Sequence, residues 1–197
     1  MNYSSILSIL SGIFIGFLLP PSFMSSINIL MNILLCIIIF LVGIEVGCNK
    51  FSFKDIKKHG GFLISITLSI IFGSLLGGFT AGLFFQMEPN ISLSISSGFG
   101  WASLSGIILT NLHNAEIGAI AFLTNIIRWL IGLITIPLIA KYLNYYSAIA
   151  PAGVTSMDSS LPVISRYTDS DIPLLSIFNG ILLTLLVPVL IPFFYSL

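Results

Sequence analysis

Few residues in this chain could do chemistry, and each stands in apolar surroundings. Asp158 lies within GVTSMDSSLPV (153–163), beside the hydroxyls of Ser156, Ser159 and Ser160. A carboxylate near the centre of a bilayer costs about 2.5–3.5 kcal/mol on insertion scales, so it must face protein or water and hold a partner. Such a group binds a cation or carries a proton. The bland alternative is a hairpin tip in cytoplasmic water, where aspartate only caps a turn. Arg128, within FLTNIIRWLIG (122–132), needs a partner for the same reason. Either it forms a static ion pair with Asp158, or a substrate carboxylate or a proton competes for that pair. Asn125, one turn earlier, shares its helix face and can hydrogen-bond backbone or solute. Glu45, in LVGIEVGC (41–48), comes just before the basic loop CNKFSFKDIKKHG (48–60). It either snorkels to the interface and pairs with Lys50, or serves as a coupling-ion ligand.

Enzymatic readings mostly fail on residue types, and an intramembrane enzyme, or an accessory half-subunit without its own transport site, stays as the alternative to a carrier. H-E-x-x-H, C-x-x-C, G-x-S-x-G and the Walker A loop are absent from the sequence. Ser156 has no evident His or Lys base. Asp158 lacks a second intramembrane aspartate, because Asp169 and Asp171 flank the last apolar run. His113 and Glu116 read as loop or helix-start residues, where an acid in a first turn suits the helix dipole.

The elements that position these residues are membrane helices. Of 197 residues, 56% are hydrophobic and 7% charged, with no formal net charge, against roughly 25% charged in soluble domains. Mean hydropathy is +1.10. Nucleic-acid binding is excluded, since no basic stripe exists. Cys36 and Cys48 fall in one predicted helix, too far apart along its axis to bridge. The N-terminus reads as a retained first helix, the first basic residue being Lys50.

Apolar runs predict an all-α polytopic bundle in one transmembrane domain, residues 1–197. Its crossings are expected at about 3–19, 25–47, 61–86, 116–142 and 172–196. Two further segments, 91–112 and 145–167, are long enough to enter the bilayer yet dense in Gly, Ser, Thr and Pro. They read as broken helices or re-entrant hairpins, tolerated only where irregular backbone is buried or lines a watery cavity. Gly100-Trp-Ala-Ser-Leu-Ser-Gly106 aligns with Gly153-Val-Thr-Ser-Met-Asp-Ser159, which makes the two segments candidate inverted copies, an arrangement that builds midplane sites in secondary transporters. Lys50, Lys54, Lys57 and Lys58 assign their loop to the cytoplasm by the positive-inside rule. The expected binding residues are Asp158, Ser156, Ser159, Ser103, Ser105, Arg128, Asn125 and Glu45. No metal or cofactor is expected beyond a coupling H+ or Na+.

Through SGFGWASLSGIILT (97–110), IAFLTNIIRWLIGLITIPLIA (120–140), PAGVTSMDSSLPVISR (151–166) and FNGILLTLLVPVLIPFF (178–194), the chain resembles the lysine exporter (LysO) family of prokaryotic inner-membrane proteins. The likeness runs over essentially the whole chain. It implies export of lysine and its analogues, driven by an ion gradient, with the family's membrane-embedded acid at Asp158. The best-known members carry a glutamate directly after the helix-four arginine, where this chain has Trp129. Longer members bear further N-terminal helices, so the resemblance covers their C-terminal two-thirds. It implies as partners a cationic amino acid, the lipid bilayer, and a homodimer or a separate small membrane subunit.

Overall fold

The computed structural model describes residues 53–169 and 171–197, with backbone alone over 53–60, together with the helical residues Ile33, Ile37 and Phe40. The chain forms two compact units, Met1–Phe40 and Leu41–Leu197. The second unit holds the hairpins and the long helices that frame them. The helices expected at 3–19 and 25–47, and Glu45 with them, lie outside the described residues apart from those three positions.

The described residues are helical, without strands. Helix α1 (Phe53–Phe84) is followed by α2 (Pro89–Ser96), a turn, and α3 (Ala102–Leu112). Helix α4 (Ala115–Tyr142) leads to two short 3-10 turns, Ser147–Ile149 and Gly153–Met157, then to α5 (Leu161–Tyr167) and α6 (Ile172–Tyr195). Three stretches, Gly61–Phe84, Ala115–Tyr142 and Ile172–Tyr195, are long and apolar enough to cross a membrane. At 1.5 Å per residue, 24 residues span about 36 Å, which exceeds a hydrocarbon core of about 30 Å.

The helix ends follow local chemistry. Asn114 caps α4, its Oδ1 accepting from Ile117 N–H at 2.8 Å, with Glu116 in the first turn and Lys141 in the last, each favourable to the helix dipole. Pro89, Pro162 and Pro173 sit in the first turns of α2, α5 and α6, where a missing N–H costs nothing. Pro162 therefore starts a helix rather than breaking one.

Contacts between elements fix the path of the chain. Arg128 in α4 bonds Ser74 in α1, while Ile120 and Thr124 share a cavity with Gly78, Ala81, Gly82 and Phe85. The two helices are thus antiparallel. Residues 89–112 leave the end of α1 and return to the start of α4 at that same end. The second excursion mirrors this. Phe62 at the start of α1 stacks on Tyr146 (4.6 Å), and Ile164 packs with Ile136, Ala140, Ile149 and Ile172, so residues 143–171 enter and leave at the opposite end. Helix α6 then crosses back, and its Tyr195 hydroxyl meets His113 Nδ1 at 3.1 Å. Among the described residues the result is three helices long enough to cross a membrane and two hairpins that enter the bundle from opposite ends.

Small residues permit this close packing. A Cβ on Gly82 would collide with the Ser92 side chain, and one on Gly118 with Thr110 Oγ1 and, at 2.7 Å, with the Gly106 carbonyl oxygen. A carbonyl cannot swing aside as a flexible side chain can. By contrast, a Cβ on Gly77 meets nothing within 4 Å. Gly118→Ala is therefore expected to destabilise the detergent-solubilised protein by about 1–3 kcal/mol through overpacking. Gly77→Ala, relieved of glycine's helix penalty of roughly 0.5–1 kcal/mol, should melt at the same temperature or higher. Thermal unfolding of both variants checks the pair.

Candidate functional site

The site begins where the hairpins lose their regular hydrogen bonding. In the first, Phe99 (φ 46°) and Gly100 (φ 96°) adopt left-handed conformations between α2 and α3. In the second, Gly153 is left-handed at φ 58°. The two breaks touch through backbone: Val154 N–H donates to the Phe99 carbonyl at 2.9 Å. A Cβ on Gly153 would strike that same carbonyl, so both its φ and its surroundings demand glycine. Phe99 is completely buried.

Each break is held by one buried asparagine on the following long helix. Asn125 of α4 accepts from Gly100 N–H (2.7 Å) through Oδ1 and donates through Nδ2 to Ser105 Oγ (3.0 Å), Ala121 O (2.9 Å) and Ile95 O (3.3 Å). Asn179 of α6 donates to Ser156 Oγ (3.2 Å) and Gly153 O (3.3 Å), and accepts from Thr67 Oγ1 at 3.0 Å. The spacing from glycine to asparagine is 25 residues in one case and 26 in the other. Ser156 and Ser176 also exchange hydroxyl-to-carbonyl bonds at 2.8 and 2.7 Å. These bonds replace the backbone partners that an unbroken helix would supply.

Around this crossing lie two cavities between α1 and α4. One, of about 460 Å³, is lined by Ser69, Gly73, Ser74, Arg128, Gly132 and Pro151, on the side from which the second hairpin enters. The other, of about 430 Å³, faces the first hairpin and is more apolar. Arg128 projects at the first. Its Nη1 donates to Ser74 Oγ at 2.6 Å, and its Nη2 lies 3.5 Å from where a Cβ of Gly153 would be. It is the fourteenth of 28 residues in α4, hence at mid-depth.

Asp158 is at similar depth. Its neighbour Met157 packs on Gly180 and accepts from Thr184 Oγ1 at 3.8 Å, and these are the ninth and thirteenth of the 24 residues of α6. The Asp158 carboxylate is exposed relative to the described residues and accepts from the Ser159 N–H and, at 3.0 Å, from its hydroxyl. Asp158 and Arg128 do not pair. Of the remaining expected site residues, Ser105 and Ser156 are fully buried and committed to holding the breaks, whereas Ser103 and Ser159 are exposed. Trp129, directly after Arg128, buries an indole N–H that has no partner among the described residues.

Asn179, Ser176, Thr67 and Ser74 escaped sequence reasoning. Asn179 carried a readable signal, as the single amide side chain in the otherwise apolar run 172–196. Ser74 and Thr67 had none, because isolated hydroxyls are common in membrane helices and ordinarily bond their own backbone.

Opposed hairpins that meet midway along the bundle, between helices long and apolar enough to cross a membrane, place the chain among helical membrane proteins. The family model for the lysine exporter LysO matches residues 6–195, and the chain belongs to that family, one of transporters rather than enzymes. It is 37% identical over 161 residues to the lysine exporter LysO of Escherichia coli strain K12, covering 81% of this chain and 53% of the relative. It is 36% identical over 162 residues to a putative lysine exporter of Haemophilus influenzae, covering 81% and 80% respectively. The chain thus spans about half the length of the first relative. No solved structure matches.

The asparagine clamps make a direct prediction. Asn125→Leu strands the buried Gly100 N–H, at a cost of about 1–3 kcal/mol for an unsatisfied group, while Ser105 keeps its bond to the Trp101 carbonyl. Thermal unfolding should show a larger loss for Asn125→Leu than for Asn114→Ala, which removes only an exposed helix cap.

Proposed function

We propose that the chain exports a cationic amino acid, lysine or a close analogue, across the bacterial inner membrane, in exchange for or driven by protons or sodium. The observation that carries this reading is an acid and a base at mid-depth, Asp158 and Arg128, not paired with each other and flanking two hairpins of opposite entry. Charges held at such depth without mutual neutralisation call for mobile partners. The names of the two bacterial relatives support lysine as the solute.

In this mechanism Asp158 binds either the substrate ammonium or a proton, with the Ser159 hydroxyl beside it. One carboxylate cannot serve both at once, so exchange between them couples export to the gradient. The hairpins rock about their crossing to expose the site to each side in turn. A homodimer or a separate small membrane subunit completes the transporter in this reading, since the chain spans about half the length of the first relative.

Charge distribution sets the orientation. Five of the seven basic residues, Lys54, Lys57, Lys58, Lys141 and Arg166, fall at one end of the bundle, whereas Arg128 lies within the membrane. The positive-inside rule assigns that end to the cytoplasm. Cysteines introduced at Asn144 and Asn114, after replacement of Cys36 and Cys48, are expected to react with an impermeant maleimide from the cytoplasmic and the outer side respectively; the reverse pattern contradicts the orientation.

Uptake of labelled lysine into inverted vesicles tests the function. Energised wild-type vesicles should accumulate lysine, and Asp158→Asn should reduce the gradient-dependent rate at least about tenfold, the loss of roughly 1.4 kcal/mol of differential interaction. Equal gradient-driven uptake by both removes Asp158 from the mechanism. Imposing pH and sodium gradients separately identifies the coupling ion.

A further inference from the structure

We propose that Arg128 and the cavity before it form the subsite for the α-carboxylate of the transported amino acid, reached from the basic end of the bundle. The inference rests on the proposed amino-acid export and assigns the half of the substrate that Asp158 does not address.

Four observations carry it. First, the guanidinium has five N–H donors, and among the described residues its hydrogen-bond partner is the Ser74 hydroxyl, with no carboxylate in ion-pair contact. A planar fork of this kind matches a carboxylate with two parallel hydrogen bonds. Second, an open groove of about 460 Å³ lies in front of it, within the range of roughly 300–1,000 Å³ typical of small-molecule sites. Among the described residues its lining contains no acidic side chain to compete for the guanidinium.

Third, an approach of mixed polarity leads there. An adjoining recess of about 200 Å³ shares Ser69 and Ala150 with the cavity and adds Ser65, Asn144 and Ser147, together with the apolar Phe62 and Ile66, toward the basic end. Hydroxyls and an amide are therefore spaced along the way from the lysine-rich surface to Arg128. Fourth, Nη2 lies close to Gly153, whose neighbour Val154 bonds Phe99 of the opposing hairpin. An anion bound at Arg128 would sit where the two hairpins touch. Glycine at position 73 keeps the cavity open, since a Cβ there meets nothing within 4 Å.

Calorimetric binding to the purified full chain, with inverted-vesicle transport in parallel, tests the subsite. The probes are lysine, 1,5-diaminopentane, which is lysine without its carboxylate, and 6-aminohexanoate, which keeps a carboxylate but lacks the α-amine. Wild type should bind lysine at least about 30-fold more tightly than the diamine, the lower end of the cost of leaving a buried charge unpaired. Arg128→Gln should abolish that discrimination, weakening lysine and leaving the diamine within about twofold. Arg128→Lys, which keeps the charge, should retain part of it. Gly73→Ala, whose added Cβ meets nothing within 4 Å, narrows the groove and should weaken lysine while its melting temperature stays at or above the wild-type value. Equal affinity of wild type for lysine and diamine, or discrimination that survives Arg128→Gln, overturns the proposal. If lysine is exported but Arg128→Gln leaves its export unchanged, the subsite fails and the export reading stands. If lysine is neither bound nor moved while 6-aminohexanoate binds only when Arg128 is present, the export reading fails and the carboxylate subsite stands.

Discussion

Backbone that leaves the helix inside a hydrocarbon layer must find every hydrogen-bond partner within the protein, and this requirement governs the rest of the structure. Water is not there to accept what a broken helix releases. The two breaks meet it by joining each other, Val154 N–H to Phe99 O, and by each recruiting one asparagine, Asn125 or Asn179. An asparagine suits the task because its amide carries both donors and acceptor, and so imitates a peptide group from the side. Buried serines finish the work: Ser105 with Asn125, Ser156 with Asn179 and Ser176. Close approach then dictates glycine at 153 and 118, where side chains would collide with backbone or neighbouring side chains, and leaves a Cβ at 106 only a tight fit against Phe122 and the Gly118 carbonyl.

Function follows from what that scaffold leaves unsatisfied. Polar groups of the crossing are paired internally, and so are unavailable to a solute. The charged groups are not. Arg128 opens to one cavity with a hydroxyl as its protein partner, and Asp158 is exposed relative to the described residues at comparable depth. Separating acid from base in this way avoids a static ion pair, whose desolvation would be hard to recover. A zwitterionic or cationic amino acid presents the complementary pair of charges.

Much of the architecture was legible because bilayers impose simple composition rules. The runs 115–142 and 172–195 stand out by length and apolarity, and the Gly, Ser, Thr and Pro content of 91–112 and 145–167 marks backbone that no lipid-facing helix would use. The likeness of Gly100–Gly106 to Gly153–Ser159 locates the tips that meet, and Asn125 and Asn179 extend the correspondence into the following helices. The site was less legible. Side-chain direction at Asp158 depends on how the 3-10 turn Gly153–Met157 ends, at φ −130° and ψ −92°, which residue types do not specify. Likewise Ser105 and Ser156, grouped with Ser103 and Ser159 by type, differ from them in burial because of a register that only the packed hairpins define. The pairing of Arg128 with Ser74, 54 residues away, is a tertiary fact of the same kind.

Amide hydrogen exchange in lipid nanodiscs reads whether irregular, glycine-rich backbone is locked within the membrane. If the tips are held by each other and by their asparagines, amides over 98–102 and 153–157 exchange as slowly as those of the middle of α6, and far more slowly than the surface turn at 143–147. Exchange at both tips as fast as in that turn would contradict the meeting of the hairpins at mid-depth.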